Sequence, residues 1–259
     1  LLPVLYSRSY IVRVLSLSVG RHLSLSSHFL PTGTVRRISP SLPPSTNGVL
    51  IVVCEASDIG SILFERFVNL LDSNVKRDGI DKLIAWLKSK DTKIAPASAK
   101  YHLAVPGGLV FHLLNTYDRL EKLIKLQYPT DCPYSEETVT LVALLHDISK
   151  VGLYEVKEKN TKDESGNWIK VPFYQTKEFE NRLVVFGSRS MNSLYMINKF
   201  MKLSYQEELA ILYCMGGFDV SEDTLSVKNV SEAFLKSPLA LLLHQADAQA
   251  TYLDDKVNE

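Results

Sequence analysis

A chain of 259 residues that is 46% hydrophobic and 22% charged has an ordinary globular make-up, with ample material for a core. Its formal net charge of zero argues against long nucleic acid as a partner, and no apolar run is long enough to cross a bilayer. The three cysteines, Cys54, Cys132 and Cys214, are widely spaced and odd in number, so neither a disulfide framework nor a Cys-x-x-Cys metal knuckle is expected. A reducing, cytoplasmic compartment is the default.

Residues 1–48 differ from the rest. No acidic residue precedes Glu55, whereas Arg8, Arg13, Arg21, Arg36 and Arg37 are all present, among many Ser and Leu and broken by Pro31, Pro40, Pro43 and Pro44. Mitochondrial transit peptides share this composition. A disordered or targeting extension and an upstream stretch foreign to the native product fit it equally, and the first residue is Leu rather than Met. The folded domain is therefore sought in 49–259.

From Ser57 the spacing turns helical, with Ile59, Ile62, Leu63, Phe67, Leu70 and Leu71 three and four residues apart. A second short helix follows the Asp78–Gly79 break, carrying Leu83, Ile84, Trp86 and Leu87. After the loop APASAKYH, Gly107 and Gly108 permit a tight turn or a close backbone approach, and a long helix is predicted to about Leu126. Ser135 is a plausible N-cap for the next helix. That helix, read through TLVALLHDISKVGLY at 140–154, has Leu141, Leu144 and Leu145 on an apolar stripe, with Lys150 one turn beyond His146 and Asp147. Tyr154 and Val156, then Trp168, Ile169, Val171 and Phe173, flank a turn-like cluster and predict a β-hairpin. Helices are predicted again over about 190–203 and 205–215, stopped by Gly216–Gly217, and over about 238–253 with Pro238 at its start.

Four residues stand out on these apolar helices: His112 in LVFHLL, His146 and Asp147 in LLHDIS, and Asp247 in LLLHQADAQA. Burying a carboxylate or an imidazole without a partner is costly. One shared divalent cation answers all four, because imidazole nitrogen and carboxylate oxygen together suit such a metal. Lys150 could then hold a phosphate by its charge. Each residue alone has a plainer explanation, since a lone histidine is usually a hydrogen-bonded core or surface residue.

GGLVFH, LLHDISKVGLYE and LALLLHQADAQATY, in that order, resemble the successive signature pieces of the HD-domain metal-dependent phosphohydrolase superfamily. The likeness runs over most of 57–259 and is greatest to the small bacterial and phage HD hydrolases, with a relationship to the HD modules of some 3′→5′ exoribonucleases. It implies an all-α HD-domain bundle, here with a small β-hairpin insertion after the His-Asp helix. It also implies one divalent metal (Mn, Fe, Co, Ni or Mg) held by His112, His146, Asp147 and Asp247. Catalytic roles fall to Asp147 and Lys150, and substrate contacts to Lys150, His102 and Arg189. His244, one turn before Asp247, would either orient that aspartate or simply pack.

Two segments depart from the family pattern. SRSMNS at 188–193 has Arg189 and Met191 where relatives carry His and Glu, and Cys214 stands where relatives have His. A cationic side chain opposes a second cation, so a second metal is not expected. The resulting expectation is a phosphohydrolase that acts on a small phosphoester, a nucleotide above all, through metal-activated water. The alternative is a degenerate HD domain that binds a nucleotide or a partner without turnover. The oligomeric state stays open.

Overall fold

The computed structural model describes residues 11–16, 24–27, 50–54, 56–184, 187–219 and 224–255, with side chains from 60 onward except at 219 and 224–227. It divides into two compact units, 1–62 and 63–259. In the first, β1 (Ile11–Ser16) pairs antiparallel with both β2 (Ser24–Ser27) and β3 (Leu50–Cys54), in the order β2–β1–β3. The reading of 1–48 as an extension falls mostly outside the described residues, which include only 11–16 and 24–27 of that stretch.

The second unit is mostly helical with one two-stranded antiparallel sheet. Its elements are α1 (Ala56–Asn74), which begins in the first unit, α2 (Ile80–Ser89), α3 (Gly108–Gln127), α4 (Glu136–Leu145), β4 (Tyr154–Lys162), β5 (Trp168–Thr176), α5 (Arg189–Asn198), α6 (Tyr205–Leu212), α7 (Thr224–Lys236) and α8 (Pro238–Gln249). Helix α7 had no counterpart in the sequence reading. No described helix is long and apolar enough to cross a membrane.

Helix α4 lies at the centre, packed on α3 and α6, while α8 covers α3 and α6. Val139 to Leu145 are all buried, as befits a helix that is apolar on every side. Its start is specified locally. Ser135 accepts a hydrogen bond from the Thr138 amide at 3.1 Å, and Glu136 and Glu137 complement the amino-terminal dipole. The long helix expected over 140–154 ends early. It stops at Leu145, and Asp147 (φ −110°, ψ 19°) leads into a 3-10 turn at Ile148–Lys150.

Gly107 and Gly108 make the close approach expected of them. Gly107 takes φ 78° ahead of α3, and a Cβ on Gly108 would lie 2.1 Å from the Leu103 carbonyl oxygen. Gly79, ahead of α2, has φ 95° and packs so tightly on Phe200 that a Cβ would fall 1.9 Å from its carbonyl oxygen. Since α5 ends at Asn198, Phe200 lies in the turn beyond it rather than in a helix running to 203. A left-handed non-glycine residue costs about 1–2 kcal/mol, and the backbone clash adds to that. Gly79→Ala is therefore expected to lower stability by more than about 2 kcal/mol, read as a fall in the denaturant midpoint.

Candidate metal centre

His112 lies in the second turn of α3, His146 caps α4, Asp147 follows it, and Asp247 sits near the end of α8. Packing of α3 against α4 and α8 brings all four together, each less than a tenth exposed. His112 Nε2 lies 3.6 Å from Asp147 Oδ2 and 3.2 Å from Asp247 Oδ1. His146 Nε2 lies 3.7 Å and 3.9 Å from the same two oxygens. Two donors each about 2.1 Å from one ion sit about 3.0 Å apart at a right angle and about 3.4 Å apart at a tetrahedral angle. The observed spacings are those of ligands around a common centre, slightly relaxed.

Hydrogen bonding on the far side of each ring decides which nitrogen faces that centre. His146 Nδ1 lies 2.9 Å from the Ala143 carbonyl oxygen. A carbonyl only accepts, so Nδ1 carries the proton and Nε2 presents a lone pair inward. His112 Nδ1 lies 2.7 Å from Asp255 Oδ2, which likewise turns Nε2 inward. Neither Nε2 has a hydrogen-bond partner, although both are buried. Two orphaned imidazole nitrogens facing two carboxylates fit a cation, and these residues could hold a metal ion. His112, His146 and Asp147 form one candidate group and His102, His112 and Asp255 a second, the donor atoms of each lying within 4.8 Å of one another. Asp247 touches the imidazoles of His112 and His146 from outside both groups, as expected when two carboxylates repel.

The electrostatics are strongly coupled. Burial works against charge on Asp147, but Lys150, His146 and His112 outweigh it and hold the carboxyl below its usual range. Asp247 is lowered against the same burial penalty by the adjacent His112 imidazole. Burial holds His146 below the usual histidine value, favouring the neutral ring that ligation requires. Burial also opposes charge on His112, but Asp247 and Asp255 prevail and raise it to about 9.

Lys150 is buried, with Nζ 2.5 Å from Asp147 Oδ2. The sequence placed it one turn along a continuous helix. It instead reaches Asp147 through the 3-10 turn, in which residues three apart eclipse one another. His102 stands at the edge of the cluster, its ring centroid 5.1 Å from that of His112. Its Nε2 is buried without a partner, and burial, then the charges of His112 and Lys150, lower its pKa to about 4. The loop carrying it closes through Ala97 N–H to the Leu103 carbonyl at 3.1 Å, and Leu103 itself takes φ 45°. A left-handed leucine stores strain, and here it sits one residue from His102.

Three further residues from the sequence reading have surroundings of their own: Arg189 lies apart from the substrate contact expected of it, Cys214 is buried, and His244 takes the packing alternative. Arg189 is exposed in the first turn of α5, and among the described residues no hydrogen bond or ion pair joins it to the four donors. Cys214 is buried with its sulfur 3.7 Å from Ser190 Oγ. His244 does not orient Asp247; its Nδ1 lies 2.7 Å from the Cys214 carbonyl oxygen and its ring stacks on Phe234.

The sequence reading missed Asp255 and Asn115. Asn115 Nδ2 donates to Asp255 Oδ1 at 2.8 Å, so both oxygens of this buried carboxylate are engaged. Asn115 was findable, since it lies three residues after His112 on one helix face. Asp255 was not. Eight residues at about 100° each would carry it about 80° round a regular helix from Asp247. The chain beyond α8 instead widens into a π turn at Ala250–Asp254, closed by Asp255 N–H to the Ala250 carbonyl at 2.9 Å. Such turns re-aim side chains and recur at functional sites. Comparison of the chain with protein-family models, curated proteins and solved structures found no match.

Proposed function

We propose that this chain is a metal-dependent phosphohydrolase of the HD type, acting on a small phosphoester such as a nucleotide. The observation that carries the reading is the meeting of two partnerless imidazole nitrogens and two carboxylates, drawn from three helices, at ligand-to-ligand distances. Charge counting supports it. Asp147, Asp247 and Asp255 bring three negative charges into the buried cluster and Lys150 one positive. A single divalent ion that displaces the proton favoured on His112 leaves both histidines neutral and balances the sum. His112, His146, Asp147 and Asp247 would hold it. When bound, a divalent ion supplies a water acidified toward neutral pKa and a Lewis acid for the phosphoryl oxygen.

The chain's own groups do the rest. Asp147 holds the Lys150 ammonium at the centre, and its charges keep that lysine protonated against burial. There it balances charge growing on the phosphate oxygens. His102 offers a neutral ring whose Nε2 can bond a substrate oxygen at the edge. Loss of one such bond corresponds to about 1.4 kcal/mol, so His102→Ala is expected to lower kcat/KM about tenfold with bound metal unchanged, checked by steady-state kinetics and elemental analysis.

The deciding experiment is elemental analysis of the purified protein with a phosphate-release screen over nucleotides in Mn, Fe, Co, Ni or Mg. Metal near one equivalent with turnover supports the proposal; an Asp147→Ala protein that keeps both refutes it. Nucleotide binding without turnover would favour the degenerate-domain alternative, and preference for oligonucleotides over mononucleotides would favour nuclease activity.

A further inference from the structure

We propose that Asp255 is the positioning residue of the metal centre, acting through His112, an inference that rests on the metal-centre reading above. Asp255 is only 1% exposed, yet among the described residues no lysine or arginine pairs with it. Arg119, one turn beyond Asn115 on α3, is committed to the neighbouring Asp254, with Nε 2.6 Å from Oδ2. Its partners are His112 Nδ1 at 2.7 Å and Asn115 Nδ2 at 2.8 Å. Both oxygens are hydrogen-bonded to α3, which places Asp255 behind His112 as a support, although it also falls in a second candidate donor group with His102 and His112. It fixes one ring nitrogen of His112 as the donor and leaves the other to face Asp147, His146 and Asp247.

A carboxylate behind a ligating histidine sets the tautomer and the ring plane and makes the imidazole a stronger donor, and its loss typically weakens metal affinity 10–100-fold. The geometry also couples the centre to the chain beyond α8. The π turn that delivers Asp255 is clasped to α3 twice, by Arg119 on Asp254 and by Asn115 on Asp255. Anything that stabilises His112 in its inward-facing orientation must, by linkage, also stabilise that clasp.

The test is titration of metal-free protein with Co2+, followed by calorimetry and by the visible ligand-field spectrum. Asp255→Asn keeps the shape and removes the charge; it is expected to weaken Co2+ binding 10–100-fold and to alter the spectrum, and to lower the metal-free melting temperature because buried His112 loses its carboxylate partner. In a His112→Ala background, Asp255→Asn should have no further effect, because its route to the metal is gone. Binding within twofold of wild type in Asp255→Asn, or an equal loss in both backgrounds, overturns the positioning role and leaves the metal centre standing. Wild-type protein that takes up no Co2+ overturns the metal centre itself. Should the variants fail to fold, wild-type hydrogen exchange decides: amides of 250–255 are expected to slow on Co2+ addition, and unchanged exchange with Co2+ bound overturns the proposal.

Discussion

Asp247→Ala is expected to leave a folded protein that no longer retains metal and hydrolyses phosphoesters at least about a thousandfold more slowly. Metal stabilisation of developing charge is worth several kcal/mol, and a thousandfold corresponds to about 4 kcal/mol. Asp247 is the cleanest of the four proposed ligands to remove. Its oxygen faces two imidazoles and, more loosely, the Thr251 hydroxyl at 3.5 Å, so its loss strands no obligate cation. Asp147→Ala, by contrast, leaves the buried Lys150 ammonium without its carboxylate. Breaking a buried pair in that way costs about 3–5 kcal/mol and would confuse lost metal with lost fold. Elemental analysis beside a thermal melt separates the two. Asp247→Ala that keeps stoichiometric metal would remove this residue from the ligand set.

Glu207→Ala should cause the largest loss of stability of any substitution outside the candidate metal centre. Glu207 has no exposed surface. Its carboxylate accepts from Arg77 Nη1 and Nη2 at 2.7 and 2.6 Å, from the Thr138 hydroxyl at 2.9 Å and from the Ser204 amide at 2.8 Å. One side chain thus joins the α1–α2 turn to the amino-terminal ends of α4 and α6. Truncation leaves the Arg77 guanidinium without its bidentate partner, and a loss of about 3–5 kcal/mol is expected. It is measured by chemical denaturation.

The same group makes stability depend on pH. Burial opposes ionisation of Glu207, but hydrogen bonds from Arg77, Ser204 and Thr138 prevail and lower its pKa. A depressed carboxyl pKa gives stability that is fully present above the unfolded-state value of about 4.3 and is lost as pH falls through the folded one. Wild-type stability should therefore drop more steeply below about pH 5 than that of Glu207→Gln. Parallel curves for the two proteins would remove Glu207 from the acid response.

Much of the helical framework was legible in the sequence because its signals are local. The apolar spacing in α1 to α4, the Ser135 cap, the paired glycines ahead of α3 and Pro238 opening α8 each act within a few residues. The hairpin was legible for the same reason: β4 and β5 pair in register across a five-residue turn, from Tyr154 opposite Thr176 to Lys162 opposite Trp168. The boundaries went astray where a distant contact or a change of helical pitch ended an element. Helix α4 stops just before Asp147 at the candidate metal centre, Phe200 closes on Gly79 beyond α5, and the π turn follows α8.

The chemistry divides along the same line. Sequence alone identified His112, His146, Asp147 and Asp247 as polar groups too costly to bury unpaired, because desolvation is a property of the residue and the apolar run that carries it. Only the tertiary structure brought them to one point, left both Nε2 atoms without partners and supplied Asp255 behind His112. Ring orientation and the facing of α3, α4 and α8 depend on groups far apart along the chain. A 3-10 turn at Lys150 and a π turn before Asp255 shift side chains off the face that regular helical periodicity assigns them, so that part of the site became visible only in the folded protein.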